Sequence, residues 1–358
     1  MTAVPCALMR GGTSKGGIFL ADDLPADPDA RDDLLLRIMG SPDARQIDGL
    51  GGAHPLTSKV GVVSLSADDA ADVDYLFLQV VVDRPVVSTS QTCGNILAAI
   101  APFAIERGLV PVAGDRTVVR VRMVNTGAIA ALTVLTPGGE VTYEGDAAIS
   151  GVPGTAAPVE VELEAPTGPL LPTGRPIDVI AGVEATLVDN GMPSVLVRAA
   201  DLGLAGGEDP AALEADDAVV AKVAEIRAAA FGPMGLAGTP EATTTPKIVL
   251  LSPPAAGGAI RTRSFIPTRV HEAIGVLGAA SVAAGAALPG TVADGLAVAP
   301  APGAPVRVEH PTGFFDLYVE TDPGDVARIV STRVLRTARM IMDGRVHPRP
   351  TDRTEVPS

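Results

Sequence analysis

The sequence predicts an α+β protein of two similar halves, each a β-sheet wrapped around one central helix. Three observations predict it. Strand-like and helix-like periods succeed one another in the same order twice, each round holds one helix made almost wholly of small and apolar residues, and a Pro-, Gly- and Thr-dense stretch at 151–176, GVPGTAAPVEVELEAPTGPLLPTGRP, separates the rounds. With 358 residues the chain also exceeds a typical single domain. The halves are placed at 1–175 and 176–358, with a loose polar tail after His347.

In the first half, VPCALMR reads as a strand that passes through the Gly-rich turn of MRGGTSKGGIFL into a second strand, GIFL. Asp32 to Met39 reads as a short helix stopped by Gly40 and Pro42. SKVGVVSLS and VDYLFLQVVVD are β-branched and apolar, hence strands. After Cys93 the period changes: Ile96, Leu97, Ile100, Phe103, Ala104 and Ile105 recur at buried-helix spacing up to Gly108, with Pro102 predicting a kink. TVVRVRMVNTG and AIAALTVLTPGG return to strand.

The second half repeats the order. VEATLVDNGMPSVLVRAADLG is strand, turn and strand; AVVAKVAEIRAAAFGPMGL is a helix; PKIVLLSPP and AIRTRSFIP are strands; HEAIGVLGAASVAAGAALPG is the second small-residue helix, closed by Pro-Gly. Each half therefore carries one apolar helix behind several strands.

Composition excludes several classes of function. A net charge of −15, from 27 basic against 42 acidic residues, leaves no basic stripe for nucleic acid. Two cysteines, Cys6 and Cys93, make no disulfide framework, and His54, His271, His310 and His347 are too scattered for a metal site. The most apolar window, Ile274 to Leu288, falls short of the ~20 residues a membrane span needs, and the N-terminus lacks a signal-peptide pattern. A cytoplasmic protein without membrane or nucleic-acid partners is expected; a homo-oligomer stays open.

Four stretches hold chemistry-bearing residues. Cys93 precedes Gly94 and Asn95 at a helix start, where free N–H groups and the dipole stabilise a thiolate; the alternative is a small buried residue without chemistry. Lys59, in LTSKVGVVSL beside Ser58, enters an apolar strand, where burial favours a free amine able to act as a base; the alternative is a surface lysine with its stem over apolar neighbours. The run Arg10-Gly11-Gly12-Thr13-Ser14-Lys15 offers N–H groups, hydroxyls and cations for a carboxylate or phosphate, without P-loop spacing. His271, just before the second small-residue helix and near Arg263, Ser264 and Arg269, would cap that helix, hold an anion, or serve structure alone. Cys6, within a strand, is assigned to the core.

MRGGTSKG, RQIDGLGGAHPLTSKV, TCGN with its helix, and YEGDAAISGVPGTAAPV together resemble the PrpF family of isomerases, nearly end to end. The resemblance implies a diaminopimelate epimerase-like fold with the active site in the cleft between its halves. Epimerases of that fold move a proton with two cysteines, one at each central helix. Here the second helix reads Gly275-Val276-Leu277-Gly278, so Leu277 or a neighbour stands where the second thiol would be, and two-cysteine racemisation is excluded.

PrpF-type enzymes pair a lysine with the remaining cysteine, and Lys59 and Cys93 match those positions. The resemblance implies that this pair is catalytic and that Arg10, Gly12, Thr13, Ser14, Ser58, Gly94, Asn95, Ser264 and His271 hold a small polycarboxylate substrate. Within the family the wording is most similar to members that interconvert keto and enol forms of the unsaturated tricarboxylate 4-oxalomesaconate in gallate breakdown. Relatives carry out 1,3-allylic isomerisation of similar acids or cis–trans isomerisation of 2-methylaconitate. A carboxylate-binding module without turnover is the non-enzyme alternative.

Overall fold

Alternation of apolar residues makes most of the chain strand. The computed structural model describes residues 3–89, 92–163, 168–266, 269–301 and 303–351 and divides into two compact units, Met1–Val161 with Arg336–Ser358, and Glu162–Leu335.

The first unit holds β1 (Val4–Gly11), β2 (Ser14–Leu20), β3 (Lys59–Leu65), β4 (Val73–Val80), the short β5 (Val87–Ser88), β6 (Arg116–Met123), β7 (Ile129–Leu135) and most of β8 (Pro158–Leu163). Its helices are α1 (Pro28–Met39), between β2 and β3, and α2 (Gly94–Glu106), between β5 and β6. β1–β2, β3–β4 and β6–β7 pair antiparallel, and these hairpins join through parallel contacts of β2 with β3 and of β4 with β6.

The second unit holds β9 (Asp178–Ile180), β10 (Val183–Val188), β11 (Ser194–Arg198), the short α3 (Pro210–Glu214), α4 (Asp217–Phe231), β12 (Lys247–Ser252), β13 (Ile260–Phe265), α5 (Val276–Ala287), β14 (Val306–His310) and β15 (Gly313–Asp322). The pairing pattern is that of the first unit: β10–β11, β12–β13 and β14–β15 are antiparallel, joined by parallel β11–β12 and β13–β14. Parallel joints need crossovers. In each unit the first is made by a polar-faced helix, α1 or α4, and the second by the small-residue helix, α2 or α5. The duplication legible in the sequence is thus a repeat of strand order and pairing sense as well as of composition, as a diaminopimelate epimerase-like fold requires.

Ile96 to Ile105 of α2 are all buried, and α2 packs against β1, β2, β3, β4, β6 and β7, which makes it the core of its unit. α5 is likewise buried from Gly278 to Gly285 against β10, β11, β14 and β15. The other sheet faces are covered by α1, with Leu35, Ile38 and Met39 in a cluster with Cys6, Phe19 and Val60, and by α4, with Val223 and Ile226 against Leu187 and Ile248.

The sequence placed the halves at 1–175 and 176–358; the chain instead returns to the first unit at its end. β16 (Asp325–Val346) pairs with β15 through Val334 and then with β1 from Ala338 to Val346. Its alternation is broken by arginines, which hid it among polar residues. α1 starts at Pro28, four residues before the expected Asp32, because Asp27 accepts the Ala30 N–H and Pro28 supplies a preset first turn. α2 runs through Pro102 as one helix. Of the expected tail, Arg349 is tied to Ser41 O and residues 352–358 lie outside the described residues.

Candidate active site

Lys59 opens β3, with Gly16 of β2 and Gln79 of β4 as its direct register partners. Two residues on, a Cβ at Gly61 would lie 3.2 Å from Ile100 Cδ1 of α2, so alternation turns Lys59 toward the α2 side as well. The side chain is 7% exposed. Its Nζ donates to Gln79 Oε1 at 2.9 Å and lies 4.9 Å from the Phe77 ring centroid. Gln79 Nε2 donates to Pro55 O (3.1 Å) and Ser58 O (2.9 Å), which fixes the amide with its oxygen toward the lysine. Among the described residues Lys59 forms no ion pair.

Cys93 is the N-cap of α2, at φ −132° and ψ 100°, and no side chain caps the helix. Its carbonyl accepts the Leu97 N–H at 3.0 Å and the Tyr75 hydroxyl at 3.4 Å. Tyr75 is fully buried; burial first and the neighbouring Cys93 second push its phenol well above its usual range, so it remains a donor. Tyr75, Phe77 and Gln79 share one face of β4 by alternation. That row runs from the Cys93 carbonyl to the Lys59 amine and puts both residues on the α2 side of the sheet, near the start of the helix. Cys6 is different: it is 1% exposed and burial pushes its thiol up to about 12.

The Gly-rich turn closes on the same helix end. Gly12 has φ +50°, and a Cβ there would fall 2.2 Å from Asn95 Oδ1; one at Gly11 would fall 2.4 Å from Asn95 O. Asn95 Nδ2 donates to Thr13 Oγ1 at 3.1 Å. Ser14 pairs directly with Gly11, so its side chain shares the α2 face; it is 1% exposed and among the described residues its Oγ has no partner. Thr92 Oγ1, beside Cys93, is also buried without a partner among the described residues. An unmet buried hydroxyl costs about 1–3 kcal/mol. Two of them flank an uncapped helix start, and a Cβ at Gly94 would meet nothing within 4 Å. The arrangement offers hydroxyl and N–H donors to an anion beside one amine and one thiol.

The structure thus places Lys59, Cys93, Gly94, Asn95, Gly12, Thr13 and Ser14 on the α2 side of the first unit's sheet. Two expected residues differ. Ser58 is fully buried, donates to Val80 O at 2.8 Å and accepts from Gln46 Nε2 at 2.7 Å, so its hydroxyl is spent on the fold. Arg10 points to the sheet face away from α2, where its Nη1 donates to Thr337 O, Thr337 Oγ1 and Gly12 O.

Ser264 and His271 belong to the second unit. His271 does not cap α5, whose N-cap is Gly275; its Nδ1 accepts the Ala273 N–H at 2.9 Å and its backbone N–H donates to Ser264 O at 2.8 Å. Burial, then the charge of Lys247, holds its imidazole below the usual range. Gly275 caps α5 as Cys93 caps α2 in the first unit, so of Leu277 and its expected neighbours Gly275 is the position that corresponds to the thiol. Lys247 opens β12 as Lys59 opens β3, a correspondence that strand order alone reveals. Sequence reasoning also missed Gln79, Tyr75 and Thr92; the polar Gln79 at the end of an apolar strand was the one available signal.

Among the described residues no group of three or more His, Cys, Asp or Glu side chains is placed to hold a metal ion, and no helix is long and apolar enough to cross a membrane. The profile of the PrpF protein family matches residues 1–349. The chain is 54% identical over 350 residues to the (4E)-oxalomesaconate Delta-isomerase of Novosphingobium sp. strain KA1, covering 96% of this chain and 97% of the relative. It is 50% identical over 348 residues to the 4-oxalomesaconate tautomerase of Pseudomonas putida KT2440, covering 96% and 95%. The crystal structure of a methylitaconate-delta-isomerase superposes with a TM-score of 0.85 at 33% identity, covering 96% of this chain and 95% of that one.

Proposed function

Because the chain belongs to the PrpF family over residues 1–349, we propose that this isomerase acts on oxalomesaconate, moving one proton with Lys59 and Cys93 and without a cofactor. One observation carries the reading: a buried amine and the N-cap cysteine of α2 lie on the same helix-facing side of the first unit, beside two buried hydroxyls that lack partners among the described residues. Relatives named for oxalomesaconate, at 54% and 50% identity, support the choice of acid.

In this mechanism one of the pair removes a proton from the carbon next to a carbonyl or double bond, which leaves a dienolate. The other returns a proton to the far end of the delocalised system, or to its oxygen. Each well-placed group contributes about 10²–10⁴-fold. The N–H groups of Gly94 and Asn95 face the developing negative charge, where donors in place before the reaction have their largest effect. Hydroxyls of Thr13, Ser14 and Thr92 donate to the carboxylates. Gln79 sets the position of the amine through the two carbonyls that fix its own amide.

Return of the proton to oxygen is keto–enol tautomerisation, the reading we put first, in gallate and related aromatic breakdown in the cytoplasm. Return to carbon is a 1,3-allylic shift, favoured by the 54% identity to a Delta-isomerase. Supplying oxalomesaconate in D₂O and following ultraviolet absorbance together with proton NMR separates them, since only the allylic shift places deuterium on a new carbon. A parallel assay with 2-methylaconitate tests the cis–trans alternative. Binding of these acids without any spectral change would leave a carboxylate-binding module and end the proposal.

A further inference from the structure

On the face of the first unit's sheet away from α2, Arg10 of β1 and Arg339 of β16 stand directly opposite each other in the antiparallel register. Like charges directly opposite across a strand pair are destabilising, and such pairs are normally separated or neutralised. Here neither is neutralised. Arg10 is held by Thr337 O and Oγ1 and by Gly12 O, all uncharged, and among the described residues neither arginine forms an ion pair. In a chain with 42 acidic residues against 27 basic ones, two facing guanidinium groups without a carboxylate are a local inversion of the overall charge.

They line a cavity of about 900 Å³. Its floor is Arg10 with Thr337, Arg339 and Ile341, and its other wall is the segment from Tyr143 to Ala156. That wall is built, not draped. Tyr143 OH donates to Glu106 Oε2 at 3.0 Å, Ala147 and Ala156 form a bridge, and Gly145 lies so close to residue 157 that a Cβ would fall 2.7 Å from Ala157 Cα. The volume falls in the range of sites that enclose small organic ligands. Glu144, the one acid lining it, bonds to neither arginine.

We propose that this cavity is a second anion site, which takes a small polycarboxylate bridging the guanidinium groups of Arg10 and Arg339. Planar guanidinium forks match carboxylates in bidentate geometry, and an anion between them removes the like-charge repulsion that the empty pair carries. Burial and the charge of Arg339 both disfavour the protonated form of Arg10, the condition an anion relieves. Alternation along β1 turns Gly11 toward Asn95 and Arg10 to the opposite face, which sets the guanidinium pair apart from the α2 end, while Gly151 of the wall lies against Thr13, with a Cβ there 3.0 Å from Thr13 Cγ2. The two are nonetheless neighbours in the chain: the guanidinium that would grip the anion also holds Gly12 O, in the turn packed on Asn95.

The test is hydrogen exchange on the full chain with tricarballylate, a saturated tricarboxylate that cannot be isomerised, and separately with inorganic phosphate. Tricarballylate is expected to protect amides of residues 143–156 and 337–341 in wild type and in Cys93→Ser alike. Arg339→Gln, which leaves the α2 end untouched, should weaken that protection by about tenfold to a hundredfold in ligand concentration. Arg339→Lys should fall between. Circular dichroism melts check that each variant is folded. Equal protection in Arg339→Gln and wild type, or no protection of this segment at saturating ligand, overturns the site. Protection by phosphate alone overturns the assignment to a polycarboxylate.

Discussion

Lys59 and Gln79 face each other across a directly paired register, and the lysine Nζ sits 2.9 Å from an amide oxygen that has no freedom to turn away. A neutral acceptor at this point holds the amine in place without adding a counter-charge. Gln79→Glu would add one and tie the amine into an ion pair, and Gln79→Leu removes the acceptor altogether; each should lower kcat by about tenfold to a hundredfold. Wild-type kcat in both variants would show that Gln79 does not act through Lys59.

Lys59→Met and Cys93→Ser are each expected to lose about 10²–10⁴-fold in turnover of oxalomesaconate. Both keep the fold, since Met retains the apolar stem packed by Phe77 and Cys93 makes no side-chain cap. The check is steady-state kinetics beside a thermal melt. A variant with wild-type rates would remove that residue from the mechanism.

The sequence was most legible where the period was cleanest. The buried run from Ile96 to Ile105 and the strand pair on either side of the Gly-rich turn were readable from spacing and glycine content. Three things were not. Arginines break the alternation of β16, and its partner β1 stands more than three hundred residues away, a relation no local pattern carries. Ser58 looked like a site residue because it adjoins Lys59, yet successive strand residues point to opposite faces, and its hydroxyl went to Val80 and Gln46. Arg10 misled for the same reason, being one residue from Gly11 and on the other side of the sheet.

The two cysteines should separate chemically. Cys6 is 1% exposed, and burial pushes its thiol up to about 12, so at pH 8 it offers neither access nor thiolate. Cys93 is half-buried at a helix start. Iodoacetamide on the folded protein at pH 8 should therefore modify one residue, Cys93, and activity should fall in step with it. Peptide mapping by mass spectrometry reads the outcome, and alkylation of Cys6 at a comparable rate would contradict the packing of β1 against α1.

Gly12 occupies a backbone region that side chains rarely adopt and lies against Asn95. Gly12→Ala adds strain of about 1–2 kcal/mol from the positive φ, and its Cβ at 2.2 Å from Asn95 Oδ1 forces that side chain off Thr13. Stability to urea should drop, and kcat should drop further than stability explains, because the displaced group belongs to the first turn of α2. A loss of stability with kcat intact would make the turn purely structural.

His271 gives the fold an acid-side weakness whose sign follows from its surroundings. Burial and the charge of Lys247 hold its imidazole below the ordinary histidine value, and its Nδ1 accepts the Ala273 N–H, which a protonated ring cannot do. The unfolded chain, with an ordinary histidine, binds a proton at about pH 6.5 while the folded one does not. Between that pH and the depressed folded value the unfolded state holds more protons, so stability is full above about pH 6.5 and falls as the pH drops. The urea midpoint should decline between pH 7.5 and 5.5 in wild type and decline less in His271→Gln, whose amide oxygen can still accept near Ala273 and carries no titrating proton. Parallel declines in the two proteins would mean that other groups govern the acid limb, and that the imidazole protonates in the folded state as freely as in the unfolded chain.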